Sequence, residues 1–282
     1  MDNILKTTAL LGFLTGLFLL VGNILGGQQG MIMGLMFAAV MNFGTYFFSD
    51  KIVLAQYGAK EADRNTFGDL YALVRRLATR AELPMPRLFV LDMPTPNAFA
   101  TGRNAAHAVV AVSPALMKTL STEELEGVLA HELGHIKNGD MFISTLAATL
   151  AGAISYLANI ALYWGPLRSR DDDRGSSPIS MLLIALVTPI AATLLHLAIS
   201  RTREFAADEY AGRLTHRPRA LAAALQKIAG VTEQYPLTTD AGHRASAHLF
   251  IINPFNPSFL SRLFSTHPPV QERVARLTTL KI

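Results

Sequence analysis

The chain of 282 residues contains no cysteine, and this absence removes two structural possibilities. Disulfide cross-links are excluded, and so are thiolate ligands for zinc. Any zinc site must therefore use histidine, aspartate and glutamate side chains. The lack of cysteine does not by itself identify the cellular compartment.

Charged residues are also scarce: they make up 16% of the chain, whereas hydrophobic residues make up 50%. Four long runs without Asp, Glu, Lys or Arg cause this imbalance, and each has about the 18 residues that a helix needs to cross the hydrocarbon core. We therefore predict an integral membrane protein with two hydrophobic helical hairpins, residues 1–49 and 141–200. The second hairpin either spans the bilayer or is buried in protein. The runs are Thr7 to Leu25, Met31 to Phe48, Met141 to Trp164, and Pro178 to Ser200.

Basic residues flank the first hairpin and predict its orientation. Lys6 precedes the first run, and six lysines and arginines follow the second run before residue 81. The positive-inside rule then places both ends of this hairpin, and the polar segment after it, in the cytoplasm. The net charge of +4 is accounted for by such membrane-flanking residues, so we predict no nucleic-acid partner.

The most informative motif is His131-Glu132-Leu133-Gly134-His135. Positions i and i+4 lie on one face of an α-helix, so both imidazoles can reach one metal ion. Glu132 is placed to act on a water molecule at that metal. A capping box, Ser121 to Glu124, predicts a helix that begins just upstream. The alternative is a pair of solvated histidines on a surface helix.

A catalytic zinc usually has three protein ligands, and Glu204 is the predicted third. The polar turn near Asp172 divides the second hairpin into two arms, and His135 and Glu204 lie at similar distances on either side of it. Antiparallel arms of equal length bring these positions to similar depth. Asp208, one turn further on, is predicted to hydrogen-bond a ligand histidine. The alternative for this region is an ordinary charged helix at the membrane interface. Asp140 is predicted to cap a helix or form a salt bridge.

The polar parts of the chain predict an α+β fold that is mainly α. A helix over Asp63 to Glu82 is followed by three short extended stretches, which suggest a small antiparallel sheet before the motif helix. We expect the catalytic domain to consist of residues 50–140 and 201–282, with a loop over Leu237 to Phe264. The extended stretches are Arg87 to Leu91, Asn97 to Thr101, and Ala108 to Val112; the later helices are Arg201 to Arg213, Pro218 to Ala229, and Pro269 to Leu280.

The two motifs and four hydrophobic segments resemble the HtpX membrane metalloproteases, which are bacterial relatives of the CaaX prenyl proteases. The resemblance covers almost the whole chain and extends to the segments 97–102 and 265–269. It implies a gluzincin-like cytoplasmic protease domain in the bacterial inner membrane, with one zinc ion per chain and a role in heat-shock-linked, ATP-independent quality control. It also implies zinc at His131, His135 and Glu204, Glu132 as catalytic base, Asn97 facing the substrate, and a transition-state role for His267.

The residues themselves leave two of these roles open. Asn97 adjoins a predicted strand whose edge can pair with a substrate backbone, but asparagine is also a common turn residue. His267 precedes two prolines that hold it in an extended conformation, so its side chain can either stabilise an oxyanion or cap a helix.

We predict a membrane zinc endopeptidase that acts on misfolded or damaged membrane proteins. One alternative is a non-catalytic membrane scaffold or adaptor with a structural metal site, which would not need Glu132 beside the ligands. A small transporter is another alternative, but the hydrophobic runs lack the ionisable groups that transport sites usually contain. The sequence does not indicate the cleavage preference or the oligomeric state.

Overall fold

The computed structural model describes residues 2–146, 201–234, 250–252 and 268–282. The fold within these ranges is mainly helical, with one small sheet. The elements are α1 (Asp2–Gln56), β1 (Lys60–Glu61), α2 (Gly68–Arg80), β2 (Arg87–Val90), β3 (Ala98–Thr101), a 3-10 turn (Ala105–His107), β4 (Val109–Val112), α3 (Pro114–Thr119), α4 (Thr122–Asn138), α5 (Arg201–Thr215), α6 (Pro218–Gln234) and α7 (Val270–Thr279).

Helix α1 is a hairpin of two arms, because Gly26 and Gly27 have non-helical backbone angles. The arms lie side by side: Asn42 Nδ2 donates to Thr15 Oγ1 at 3.0 Å across them. Within the described ranges, Gly26–Gln56 is long and apolar enough to cross a membrane, and Leu11–Leu20 is a shorter apolar helix. The predicted third and fourth hydrophobic helices lie outside the described residues, apart from residues 141–146, so their number stays a prediction.

The sheet is mixed, whereas the sequence analysis predicts an antiparallel one. Its strand order is β1-β2-β4-β3, and β2 pairs with β4 in parallel, with Arg87 opposite Val109 and Val90 opposite Val112. Strand β4 is Val-Val-Ala-Val, and all four of its residues are buried. It lies between β2 and β3, and apolar groups cover both of its faces.

The two faces of the sheet pack against different parts of the protein. Val110 and Val112 face a core shared with α2, α4, α6 and α7. Val109 and Ala111 face a smaller cluster that includes Val53, Leu54 and Tyr57 at the end of α1. The hydrophobic hairpin is therefore attached directly to the sheet that borders the candidate site.

The element types predicted for the catalytic domain are confirmed, and their ends shift by a few residues. The first predicted helix is shorter than expected: α2 begins at Gly68, because the segment from Asp63 to Thr66 forms a turn instead. Backbone and side-chain groups of Thr66 both donate to Asp63 in that turn. Most of the predicted loop from Leu237 to Phe264 lies outside the described residues, as does His267.

Candidate metal centre

Helix α4 positions the two motif histidines. The predicted capping box is confirmed: Ser121 Oγ accepts from the Glu124 backbone N–H, and the Glu124 carboxylate accepts from the Ser121 N–H at 2.8 Å. One turn of helix separates His131 from His135, and their Nε2 atoms lie 3.2 Å apart. Both rings face the interior, with His131 only 1% exposed.

Helix α5 approaches α4 closely enough to bring Glu204 to the histidines. A Cβ atom at Gly134 would lie 3.2 Å from Ala207 Cα, so only glycine allows this approach without displacement. Glu204 Oε2 lies 3.7 Å from His131 Nε2, and Glu204 Oε1 lies 3.5 Å from His135 Nε2. The structure therefore brings together the three side chains that the sequence nominates as ligands.

The dimensions and chemistry of this group fit a zinc ion. At zinc–nitrogen distances of about 2.05 Å, ligand atoms on a tetrahedral site lie about 3.3 Å apart. The three observed separations, 3.2, 3.5 and 3.7 Å, are close to that value. Two imidazoles with one carboxylate form a ligand set used by catalytic zinc sites. His131, His135 and Glu204 would therefore hold the metal and leave a fourth position open.

Asp208 and Arg273 orient His131. Asp208 Oδ1 lies 2.9 Å from His131 Nδ1, and Arg273 donates to both Asp208 oxygens, at 2.8 and 2.6 Å. Burial alone would raise the pKa of Asp208, but the Arg273 guanidinium outweighs it and holds that pKa below its ordinary value. Burial lowers the pKa of His131. The imidazole is then neutral, with Nδ1–H donating to Asp208 and the Nε2 lone pair available to a metal.

Arg273 is a central site residue that the sequence analysis missed. Its side chain is 1% exposed, and its Nη1 lies 3.5 Å from Glu204 Oε2. In α7, Val270, Arg273 and Leu277 follow the spacing i, i+3, i+7, so this arginine lies on the apolar face of an amphipathic helix. A charged residue at such a position was the available signal, because it requires a buried partner.

Asp140 contacts the other motif histidine, His135. The prediction of a salt bridge is confirmed: Arg203 Nε lies 3.2 Å from Asp140 Oδ1. In addition, Asp140 Oδ2 lies 3.5 Å from His135 Nδ1. Burial alone would lower the pKa of His135, but Asp140, Glu204 and Glu132 outweigh it and raise that pKa to about 9. His135 therefore lies among three carboxylates.

Glu132 is the buried acid beside this group. Burial raises the pKa of its carboxyl to about 7, and Glu204 adds to the effect, whereas His135, Arg273 and the Ala100 backbone oppose it. A carboxyl group with a pKa near neutrality can both accept and return a proton at physiological pH. A small cavity in front of Glu132 is bordered by Phe99 and Ala100 of the edge strand, Met141 and Ser144 beyond α4, and Phe250 and Ile251.

Asn97 lies directly before β3, and its side chain accepts a hydrogen bond from another segment of the same chain. It is fully buried, and its Oδ1 accepts from the Ile251 N–H at 3.3 Å. Arg273 Nη1 donates to the Ile251 carbonyl at 3.1 Å, so Ile251 is held from both sides beside the cavity. Asn97 Nδ2 has no hydrogen-bond partner within the described ranges. Its substrate-binding role remains a prediction, as does the transition-state role of His267.

Comparisons with known proteins agree with the geometry. The model of peptidase family M48 matches residues 64–281. A protease HtpX homolog of Desulforapulum autotrophicum is 47% identical over 280 residues, which is 98% of this chain and 90% of that protein. A protease HtpX homolog of Methylibium petroleiphilum is 47% identical over 280 residues, which is 99% of this chain and 98% of that protein. One of Burkholderia thailandensis is 48% identical over 278 residues, which is 98% of this chain and 96% of that protein.

Among solved structures, the crystal structure of S. mikatae Ste24p has a similar fold, with a TM-score of 0.52 at 21% sequence identity. The alignment covers 98% of this chain and 64% of Ste24p, so the chain spans less than two thirds of that protein. The range of the family match includes the candidate site residues described above. The chain belongs to peptidase family M48, within its HtpX group.

Proposed function

We propose that this protein is a membrane-bound zinc endopeptidase that hydrolyses damaged or misfolded membrane proteins at the cytoplasmic face of the bacterial inner membrane. Membership of the peptidase family supports the reaction class, and the protein is a membrane zinc metalloprotease. The observation that carries the proposal is the convergence of His131, His135 and Glu204 beside the buried carboxyl of Glu132.

The chain's own residues divide the chemical work. Zinc, when bound, supplies Lewis-acid polarisation of water and of the scissile carbonyl group. Glu132 accepts the proton of the attacking water and passes it to the leaving amine. Asp208 holds the imidazole of His131 in the tautomer that leaves Nε2 available. We assign His267 to stabilisation of the tetrahedral oxyanion.

The edge strand is the proposed site for the substrate backbone. Within the described part of the chain, β3 is the last strand of the sheet, and its residues Phe99 and Ala100 border the cavity in front of Glu132. An extended substrate can add to such an edge by backbone hydrogen bonds. Asn97 directly precedes this strand, and we assign its side-chain amide to the substrate backbone.

Membrane-protein substrates are favoured by the position of the site along the chain. His135 is six residues before the third hydrophobic run, and Glu204 is four residues after the fourth. A helix rises 1.5 Å per residue, so six residues correspond to at most about 10 Å, and the candidate ligands would lie close to the bilayer surface. Met141 and Ser144, at the start of the third run, border the cavity. A loop of a membrane protein can therefore reach the site without leaving the bilayer surface.

The scaffold alternative is less well supported, because a structural metal site needs no acid beside its ligands. The test is the Glu132→Gln variant in detergent-purified protein. We expect it to keep its zinc, measured by elemental analysis, and to lose about 10²- to 10⁴-fold in casein turnover, because the proton acceptor is gone. Glu123→Gln, an exposed position on the same helix, is the control and should keep full turnover. Full activity of Glu132→Gln would refute the mechanism.

The substrate class has a separate test. One cleavable segment is placed in a loop next to a transmembrane helix, and the same segment is placed in a soluble fusion protein. With protease and substrates reconstituted in liposomes, we expect a higher kcat/KM for the membrane-anchored version, because its loop is confined to the depth of the site. Equal values for both versions would contradict the proposed substrate class.

A further inference from the structure

The chain changes direction directly after the motif helix. Helix α4 ends at Asn138, and Gly139 takes a left-handed conformation with φ of 69°. On a continued helix, Asp140 would point away from His131, because nine residues correspond to two and a half turns. The left-handed residue changes this course and returns the Asp140 side chain to the face that carries His135.

Asp140 makes two contacts there, one with each carboxylate oxygen. Oδ2 lies 3.5 Å from His135 Nδ1, and Oδ1 lies 3.2 Å from Arg203 Nε. The side chains of Asp140 and Arg203 are 7% and 15% exposed, so the pair is largely removed from water. The Arg203 guanidinium contacts one carboxylate oxygen, and the other oxygen faces His135 Nδ1 as a hydrogen-bond acceptor.

A similar arrangement occurs at the second histidine, where the carboxylate–imidazole distance is 3.5 Å, longer than the 2.9 Å at the first. His131 Nδ1 contacts Asp208, and Asp208 is held by Arg273. His135 Nδ1 contacts Asp140, and Asp140 is held by Arg203. In both cases a carboxylate contacts Nδ1, the imidazole nitrogen that faces away from the candidate metal position. An arginine in turn contacts that carboxylate.

The Asp140–Arg203 pair lies at the two ends of the hydrophobic segment 141–200. Asp140 directly precedes the hydrophobic segment 141–200, and Arg203 follows it by three residues and adjoins Glu204. The ion pair therefore joins the two points at which the chain enters and leaves this segment. Because Asp140 contacts His135 and Arg203 adjoins Glu204, the Asp140–Arg203 pair links the position of this segment to both of these candidate ligands.

We propose that Asp140 is a positioning residue that holds His135 with Nε2 directed at the metal, and that Arg203 fixes Asp140 and thereby sets the spacing between His135 and Glu204. The proposal rests on the proposed zinc site. Loss of a carboxylate that orients a ligand histidine typically reduces metal affinity by about 10- to 100-fold. The expected consequence is a weaker and distorted metal site in a protein that is still folded.

The experiment measures metal binding directly in the detergent-purified full chain. Zinc affinity is determined by competition with a chromogenic chelator, and the ligand geometry is followed by the visible absorption of the Co²⁺-substituted protein. For Asp140→Asn we expect zinc affinity to fall by about 10- to 100-fold and the Co²⁺ bands to shift. Arg203→Met leaves Asp140 in place and should reduce affinity by a smaller factor. Asp140→Glu, which keeps the carboxylate, should restore part of the affinity.

Glu124→Gln is the matched control. Its carboxylate forms a 2.8 Å ion pair with Lys227 at the opposite end of the same helix. Zinc affinity and the Co²⁺ spectrum should be unchanged, because this pair shares no partner with the metal group.

The outcomes separate the two proposals. If the wild-type chain binds no zinc, the proposed function and this inference both fail. If the wild type binds zinc and both Asp140→Asn and Arg203→Met match it in affinity and spectrum, only the positioning role is refuted. If Asp140→Asn does not fold, Arg203→Met decides the question by the same criteria.

Discussion

Arg273 shows at the scale of single residues how one buried cation can organise a metal site. It donates to Asp208, contacts Glu204 and holds the Ile251 carbonyl, all within a fully buried environment. A buried charge is costly unless its partners satisfy it, and removal of either partner leaves the other uncompensated. The site is therefore sensitive to Arg273 even though this residue is not a ligand.

We expect Arg273→Met to lower the free energy of unfolding by about 3–5 kcal/mol, because it leaves Asp208 buried without its counter-charge. The measurement is denaturant unfolding of the detergent-solubilised protein, followed by a spectroscopic signal of the part of the chain outside the hydrophobic hairpins. Arg276→Met is the control on the same helix. Its partner Glu272 is exposed and its guanidinium stacks on Phe205, so the expected loss is at most about 1 kcal/mol. Similar losses for both variants would contradict the assigned role of Arg273.

The residues of the candidate site differ in how readily the sequence reveals them. His131 and His135 follow from their i, i+4 spacing, and Glu204 follows from the equal arms of the hydrophobic hairpin. Arg273 does not follow from any motif, because the acidic partners Asp208 and Glu204 lie 65 or more residues away in the chain. For Asp140 the sequence predicts only a helix cap or a salt bridge, because the left-handed Gly139 redirects this residue in a way that helix periodicity does not describe.

At the scale of elements, the contact between α4 and α5 sets the dimensions of the metal group. Gly134 lies between the two histidines in the sequence, at the point where Ala207 and Tyr210 approach α4. Any side chain there would push α5 outward and carry Glu204 with it. The glycine of the motif is therefore required by packing between helices.

Gly134→Ala tests this contact. The added methyl group would lie 3.2 Å from Ala207 Cα and from Tyr210 Cδ1, so α5 must shift by a few tenths of an ångström. We expect zinc affinity to fall by about tenfold, because coordination distances tolerate errors of only about 0.2 Å. Gly230→Ala, in open space on α6, is the matched control and should stabilise the helix by up to about 1 kcal/mol without a change in affinity. Unchanged affinity in Gly134→Ala would show that the helices are not held at this distance by the glycine.

The sheet shows what element prediction misses. The extended stretches are visible in the sequence, but their order in the sheet is not. Strand β4 lies between β2 and β3, so β2 and β4 are parallel neighbours although β3 lies between them in sequence. Hydrophobic alternation and turn residues in the sequence do not indicate this strand order.

At the scale of the whole molecule, the hydrophobic hairpin and the catalytic domain form one connected unit. Tyr57, at the end of α1, packs its ring against Phe99 of β3 at 5.7 Å and against Phe250 at 5.4 Å. The orientation of the hairpin therefore determines which side of the membrane the site faces. We predict the cytoplasmic side from the basic residues that flank it.

Single cysteines test this orientation without background, because the native chain has none. Gln28→Cys lies at the turn of the hairpin, and Glu123→Cys lies at the start of α4. In spheroplasts, a membrane-impermeant maleimide should label the first variant from outside and the second only after lysis. Asp172→Cys, outside the described residues, should behave like Gln28→Cys if residues 141–200 also cross the bilayer. The reverse labelling pattern would place the site on the opposite side.

The separation of the ligands along the chain has a consequence for biogenesis. His131 and Glu204 are 73 positions apart, with a hydrophobic segment of about sixty residues between them. During synthesis, the two histidines emerge well before the carboxylate that completes the ligand group, and Arg273 follows 142 residues after His131. On the proposed zinc site, a nascent chain has its complete ligand group only after residue 204 has been made, so we expect no proteolysis by the chain before the second hydrophobic segment is complete.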